Sequence, residues 1–344
     1  MSRRNGSPAT MEDVALMANV STMTVSRALH QPTKVAKETR AKIDKAVRET
    51  GFILNAAAGN LRTARPSQVV VVIVPTLKNS LFTETLQGIA DGLRQSRFHL
   101  MVGDSRQSKE EEENLIRAFL TQRPSGMILH ETKHTDAARK SLLRANIPLV
   151  EIGDLAANPL DSTVSYSNRA ASQSMVKHLL EQGYRRVAFV GLSSSRNTRA
   201  QCRLQGYQQA LAEAKIKFDP RLVKETSGEL SAGADSVVDL LTAKSPPDAI
   251  FFAGGVLAIG ALLECSRRNW KVPEKVGIAS YDNFEVGQWL EPRLTSLKIP
   301  RYEIGRTAAA VILQGVDRPT FSRQQLVSDL GFEVMAARST QRKA

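Results

Sequence analysis

Thr22, Met23, Ser26 and Arg27 fall at the spacing of one helix face, and their residue types match the edges of base pairs. An arginine forks two hydrogen bonds onto guanine, a methionine packs on a thymine methyl, and hydroxyls bond bases or phosphates. None of the four suits a core. A second constellation, His130, Glu131 and His134, spells H-E-T-K-H, in which two histidines one helical turn apart would hold Zn²⁺ while the glutamate activates water. That chemistry needs a helix. Gly126-Met127-Ile128-Leu129 just before it reads as a strand, and Thr135 with Asp136 reads as the cap of the next helix. No downstream Glu or third His completes the ligand set, so no metal and no catalytic residue is expected. His130 and Glu131 are expected instead at a strand end lining a pocket.

The elements that present the first constellation can be read off residues 10 to 62. Thr10 is a helix N-cap, Glu12 and Asp13 favour the positive end of that helix, and Val14, Ala15 and Ala18 form its apolar stripe. Asn19 sits where the chain must reverse with φ > 0, Val20 drops into a small core, and Ser21 caps a second helix over Thr22 to Leu29 with Val25 and Leu29 inward. Two short helices across a tight turn form a helix-turn-helix, whose second helix enters the major groove; the plainer alternative is an ordinary αα corner. A third helix, about Lys37 to Thr50, turns Ile43 and Val47 inward and Arg40, Lys42, Lys45 and Arg48 outward, and Gly51 ends it. The segment NAAAGNLR, residues 55–62, is too short to hold a helix alone in water and is poised to fold against a partner.

With 344 residues, a small head and a two-lobed body fit better than one domain. The net charge is +13, and residues 1–65 carry 11 Lys/Arg against 5 Asp/Glu, which attracts phosphates. The N-terminus has no apolar leader and no run is long enough to span a membrane, so a cytoplasmic chain is expected. Cys202 and Cys265 lack CxxC spacing and read as reduced thiols. Beyond Arg65-Pro66-Ser67, apolar runs at about 69–74, 98–102, 127–129, 148–152, 187–191, 249–253 and 276–280 alternate with helices such as Leu81 to Ser96 and Ala170 to Gln182. Continuous apolar strands spaced this way predict parallel sheets covered on both faces, in two Rossmann-like lobes divided near residue 165. Ligands of such sheets sit at the carboxyl ends of the strands. Gly254 to Gly260 lacks the G-x-G-x-x-G spacing and no G-x-S-x-G occurs, which argues against a dehydrogenase, an NTPase or a serine hydrolase.

The run DVALMANVSTMTVSRAL, followed by TR and GFILNAAAGNLR, resembles the LacI/GalR family of bacterial transcription regulators, and the likeness continues along nearly the whole chain. The resemblance implies an all-α helix-turn-helix headpiece (1–54), a hinge helix and linker (55–66) and a periplasmic-binding-protein-like core (67–344). Within the core it implies a first lobe of about 67–166 and 298–325 and a second of about 167–297 and 326–340. It also implies a homodimer on double-stranded operator DNA, contacted by Thr10, Ser21, Thr22, Met23, Thr24, Ser26 and Arg27. Asn55, Ala58 and Leu61 would act from the hinge, with Leu61 as a wedge in the minor groove.

Expected around the effector are Asn79, Phe82, His130, Glu131, Ser167, Arg203, Gly255 and Asp282, with Tyr281 at the border. No cofactor is expected. Asn19 replaces a common glycine, Gly59 weakens the hinge, and Ser80 replaces a proline. Gly254-Gly255 and Ser167-Asn168 stand where Asn-Asp and Asp-Asn are common in the family. Losing both aspartates while Arg203 remains, with Arg196 and Arg199 nearby, favours an anionic ligand. ILHETKHT, IPLVE, ECSRR and EPRLTS look most like the gluconate-type repressors of the family. The expected effector is therefore a sugar acid, such as gluconate or a keto or phospho derivative, that releases operator DNA. Open alternatives are a different or lost ligand, a ligand acting as corepressor, an architectural DNA binder without effector, and a cytosolic sugar-binding protein or zinc hydrolase. The end RSTQRKA has no leucine heptads, so no tetramerising tail is expected.

Overall fold

Thr10 opens the first helix with a reciprocal cap: its hydroxyl accepts from the Asp13 N–H at 3.3 Å, and the Asp13 carboxylate accepts from the Thr10 N–H at 2.8 Å. Helix α1 (Met11–Ala18) stops at Asn19, which holds φ 51° and ψ 51°, the left-handed turn its side chain tolerates. Ser21 then caps α2 (Thr22–His30) through the Thr24 N–H at 3.1 Å, and α3 (Lys37–Thr50) ends at Gly51 with φ 67°. Val14, Val25 and Ile43 are fully buried at the centre of the three, with Ala15, Ala18, Ala28 and Ala46 closing the gaps. The structure, a computed structural model, describes residues 9–53, 66–78, 81–156, 158–195, 197–318 and 322–342. The chain divides between Arg65 and Pro66 into two units. The hinge residues Asn55, Ala58 and Leu61 lie outside the described residues, as does Asn79.

In the second unit strands and helices alternate: β1 (Val69–Val74), α4 (Leu81–Leu93), β2 (His99–Asp104), α5 (Lys109–Thr121), β3 (Gly126–Leu129), α6 (Asp136–Ala145), β4 (Leu149–Glu151), β5 (Ser162–Ser165) and α7 (Asn168–Glu181). They continue with β6 (Val187–Leu192), α8 (Thr198–Glu213), β7 (Val223–Thr226), α9 (Leu230–Thr242), β8 (Ala249–Phe252), α10 (Gly255–Arg267), β9 (Gly277–Ser280), α11 (Glu285–Trp289), β10 (Thr295–Lys298), α12 (Arg301–Val316), β11 (Val327–Asp329) and β12 (Glu333–Met335). The first sheet has the order β11-β5-β4-β3-β1-β2 and is parallel throughout. The second runs β12-β10-β9-β8-β6-β7, parallel except for β12 against β10. Val70 to Val74 and Ala249 to Phe252 are buried along their length, as strands covered on both faces must be.

The boundary expected near residue 326 falls later. Val327, Ser328 and Asp329 pair in parallel with Thr163, Val164 and Ser165, so they extend the first sheet, and the chain enters the second sheet only at β12. Five short strands, β5, β7, β10, β11 and β12, escape the apolar pattern because their side chains are largely polar or their length is three or four residues. Helix α12 returns to pack on α4, where Gly88 and Gly305 allow the backbones to meet. A Cβ on either would lie 2.1 Å from a carbonyl oxygen, that of Tyr302 or Thr85. One apolar cluster joins both sheets, with Val70, Val72 and Ile128 from the first and Phe189, Phe251 and Tyr281 from the second. No helix among the described residues is long and apolar enough to cross a membrane.

Candidate DNA-reading face and ligand cavity

On the first unit, α2 presents Thr22, Met23 and Arg27 to solvent, with Ser26 partly covered. Met23 is 69% exposed, a large apolar side chain left mostly to solvent. Thr22, Met23, Ser26 and Arg27 make no side-chain hydrogen bond among the described residues, so their polar atoms are available to a groove. Thr10, Ser21 and Thr24 differ. Thr10 is committed to Asp13, and the Ser21 and Thr24 hydroxyls bond each other at 2.8 Å, so all three act first as helix caps.

In the second unit the strand order reverses between β1 and β3 and again between β6 and β8, the places where a doubly wound sheet opens a crevice at its carboxyl ends. A cavity of about 90 Å³ lies there, lined by Phe82 from α4, Asn197, Arg199 and Arg203 at the start of α8, Gly254 and Gly255 at the start of α10, and Asp282 after β9. The amino ends of α4, α8 and α10 all reach it, which makes it a place of positive potential.

Arg203 lies 3.6 Å over the Tyr281 ring, donates from Nε to Asn168 Oδ1 at 2.9 Å and from Nη1 to the Ala253 carbonyl at 2.8 Å. All of these partners are neutral. Among the described residues no carboxylate forms an ion pair with it. Asp282 is taken by Arg301 and by the Gly255 N–H at 3.1 Å, and Glu131 is taken by Arg199 at 2.6 Å. The wall thus carries two guanidinium groups, Arg199 and Arg203, against the single carboxylate of Asp282, with Arg301 and Glu131 behind it, and both carboxylates are already engaged. Asn168, wholly buried, is the hub beneath: its Oδ1 also accepts from the Tyr281 hydroxyl at 2.9 Å, its Nδ2 donates to the Gly153 carbonyl at 2.6 Å, and its N–H donates to Asp154 at 3.0 Å.

Gly255 is small for a visible reason. A Cβ there would lie 2.3 Å from the Phe284 ring and 2.9 Å from the Asp282 Cβ, so Phe284 and Asp282 occupy the space a side chain at 255 would need. Ser167 does not line the cavity; it caps α7 through the Ala170 N–H at 3.1 Å. His130 and Glu131 stand one layer back. His130 sits edge-on to Phe82 at 4.8 Å, and its Nδ1 accepts from Arg199 at 3.1 Å. Burial first, then the charges of Arg199, Arg301 and Arg203, hold the His130 pKa well below the usual imidazole range, so it is neutral. Arg301 and Asn168 were not among the expected site residues. Arg301 joins through Asp282, 19 positions earlier, a distance that only the fold removes.

The H-E-T-K-H segment is not a helix, and its histidines part company. The His134 imidazole, 2% exposed, lies between Glu112 of α5 and Glu151 of β4: Nδ1 donates to Glu112 at 3.0 Å, and Nε2 faces Glu151 at 3.4 Å as an ion-pair contact without hydrogen-bond geometry. Burial alone would lower its pKa, but the hydrogen bond to Glu112 and the closeness of both carboxylates outweigh that and push it up to about 9. Next to it Thr135 caps α6 and donates to Glu113 at 2.6 Å. The motif anchors a loop inside the first lobe.

A family model described as bacterial regulatory proteins, lacI family, matches residues 10–55, and one described as periplasmic binding protein-like domain matches residues 176–332. The chain is 36% identical over 340 residues to the HTH-type transcriptional regulator GntR of Pseudomonas aeruginosa, covering 98% of this chain and 97% of that one. The chain belongs to the LacI family. It is 34% identical over 311 residues to the HTH-type transcriptional repressor CytR of Escherichia coli K12, covering 90% of this chain and 91% of that one. A solved LacI-family regulator from Silicibacter pomeroyi matches with a TM-score of 0.90 at 31% identity, over 97% of this chain and 100% of that one. As a LacI-family member the protein is a DNA-binding transcriptional regulator, a class that binds operator DNA and small-molecule effectors and whose members are not enzymes. The helix-turn-helix head and the two-lobed α/β core are those of the family.

Proposed function

We propose that this LacI-family protein is a repressor whose effector is a small anionic sugar derivative, a sugar acid such as gluconate or its keto or phospho forms. The observation that carries the reading is Arg203, a partly buried guanidinium held in place by neutral groups and without a carboxylate partner among the described residues. A cation set in a protein wall without a counter-ion is costly, and an anion entering the cavity removes that cost. The amino ends of three helices add to the same preference. A planar carboxylate also suits the remaining Nη2 of Arg203, which has no hydrogen-bond acceptor among the described residues.

On DNA, Thr22, Met23, Ser26 and Arg27 read base edges, while Thr10, Ser21 and Thr24 set the helices that carry them and meet the backbone. The protein acts as a homodimer on a two-fold operator, with Leu61 of each hinge at its centre. Effector bound between the lobes shifts them and releases DNA. Calorimetric titration with gluconate, 2-ketogluconate, 6-phosphogluconate and galactose tests the ligand class. Saturable heat from one or more of the acids and none from galactose is expected; heat from galactose alone ends the sugar-acid reading. Mobility-shift assays with the binding acid give the sign, and tighter DNA binding in its presence would make it a corepressor.

A further inference from the structure

Glu131 follows β3 in the first lobe, and Arg199 opens α8 in the second. Their side chains meet at 2.6 Å, with Glu131 22% and Arg199 10% exposed. Arg199 donates from the same nitrogen to His130 Nδ1 at 3.1 Å and to the His130 carbonyl at 3.3 Å, so one guanidinium end is bound wholly by the opposite lobe. Arg199 lines the cavity and Glu131 does not. The cavity, at about 90 Å³, is well below the roughly 300–1,000 Å³ of small-molecule sites, so a sugar-sized ligand needs the lobes to rearrange around it.

We infer that Glu131 is a built-in competitor for the effector's negative charge: its carboxylate holds the Arg199 cation that an anionic ligand takes over on binding. This rests on the anionic-ligand reading above. Binding is then an exchange of one carboxylate for another, and the ligand gains little net attraction from Arg199 until Glu131 has left. The same exchange breaks a contact between the lobes, so occupancy and lobe geometry are tied through one side chain. It also sets selectivity, because a neutral sugar offers Arg199 nothing in return for the pair it would break.

Of the charged groups at the site, Arg203 and Arg301 stand on the cationic side and Asp282 is held by Arg301, so Glu131 is the carboxylate that exchange can release without stripping Arg301. Glu131→Gln keeps the shape and removes the charge. In calorimetric titrations of the full-length wild type, Glu131→Gln and Glu131→Ala, with thermal midpoints recorded for each, both variants are expected to bind gluconate about tenfold more tightly than wild type. Galactose heats stay at baseline in all three. Equal or weaker gluconate binding by the folded variants overturns the inference and leaves the sugar-acid reading standing. If no protein of the three binds gluconate, 2-ketogluconate or 6-phosphogluconate, both fall. Should Glu131→Gln fail to fold, Glu131→Ala decides.

Discussion

The buried imidazolium of His134 should make the stability of the core fall as the medium becomes alkaline, and by an amount that can be worked out. In the unfolded chain the imidazole has its ordinary pKa of about 6.5; in the fold, Glu112 and Glu151 push it up to about 9. A group whose pKa is raised on folding binds its proton more tightly in the native state. Its stabilisation is therefore complete below pH 6.5 and lost as the pH rises through 9. At about 1.4 kcal/mol per tenfold change in proton affinity, that interval corresponds to about 3 kcal/mol, of which about 2 kcal/mol survives at pH 7.5. All three side chains are 2% exposed, so solvent screening removes little of it.

The assay is urea denaturation at pH 6.0, 7.5 and 9.5, followed by the fluorescence of Trp270 and Trp289, which both belong to the second unit. The control replaces the whole triad by neutral relatives, His134→Gln with Glu112→Gln and Glu151→Gln, and keeps every other titrating group. Stability of the wild type relative to this control should drop by about 3 kcal/mol between pH 6.0 and 9.5. A difference that stays flat across that window refutes the charged His134 clamp.

Arg27→Ala should cost about 1–3 kcal/mol of discrimination at the base pair it reads, seen as flattened preference in competition binding, while effector heats remain those of wild type. Lost effector binding in that variant would contradict separable units. Asn168→Ala removes the acceptor shared by the partly buried Arg203 and the buried Tyr281 hydroxyl. It should destabilise the core by about 1–3 kcal/mol in urea and weaken sugar-acid binding by tenfold or more, because Arg203 loses its orientation. Full affinity in the folded variant would show that Arg203 needs no such support.

The headpiece was legible nearly residue by residue because its signals are local. Thr10, Asn19, Ser21 and Gly51 each do what their own backbone geometry demands, within four positions of the group they satisfy. The long apolar strands were equally plain. What escaped depends on distant partners. Ser162 to Ser165 carries no apolar run, and it forms a strand because β4 and β11 flank it and the Thr163 hydroxyl donates to the Glu151 carbonyl at 3.0 Å. The third passage between sheets was misplaced by a few residues for the same reason, since β11 is three residues whose pairing is set by β5. In the cavity, Arg203, Phe82, Gly255 and Asp282 were expected and do line it. Ser167 proved a cap, and Glu131 an ion-pair partner, because residue type and strand-end position give proximity without giving the direction of a side chain. In the sequence Asn168 stands out only as the neighbour of the position where the family commonly has an aspartate. Its role as hub appears once β4, β9 and α8 bring Gly153, Tyr281 and Arg203 around it.

The most direct measurement selects preferred duplexes from a random-sequence pool with the full-length protein, then titrates gluconate or its keto and phospho derivatives into the resulting complex while following DNA anisotropy. The account predicts a two-fold symmetric site, held more tightly than random competitor, and loss of that complex as a sugar acid is added. No enrichment of any sequence, or an enriched complex indifferent to all three acids, would contradict it.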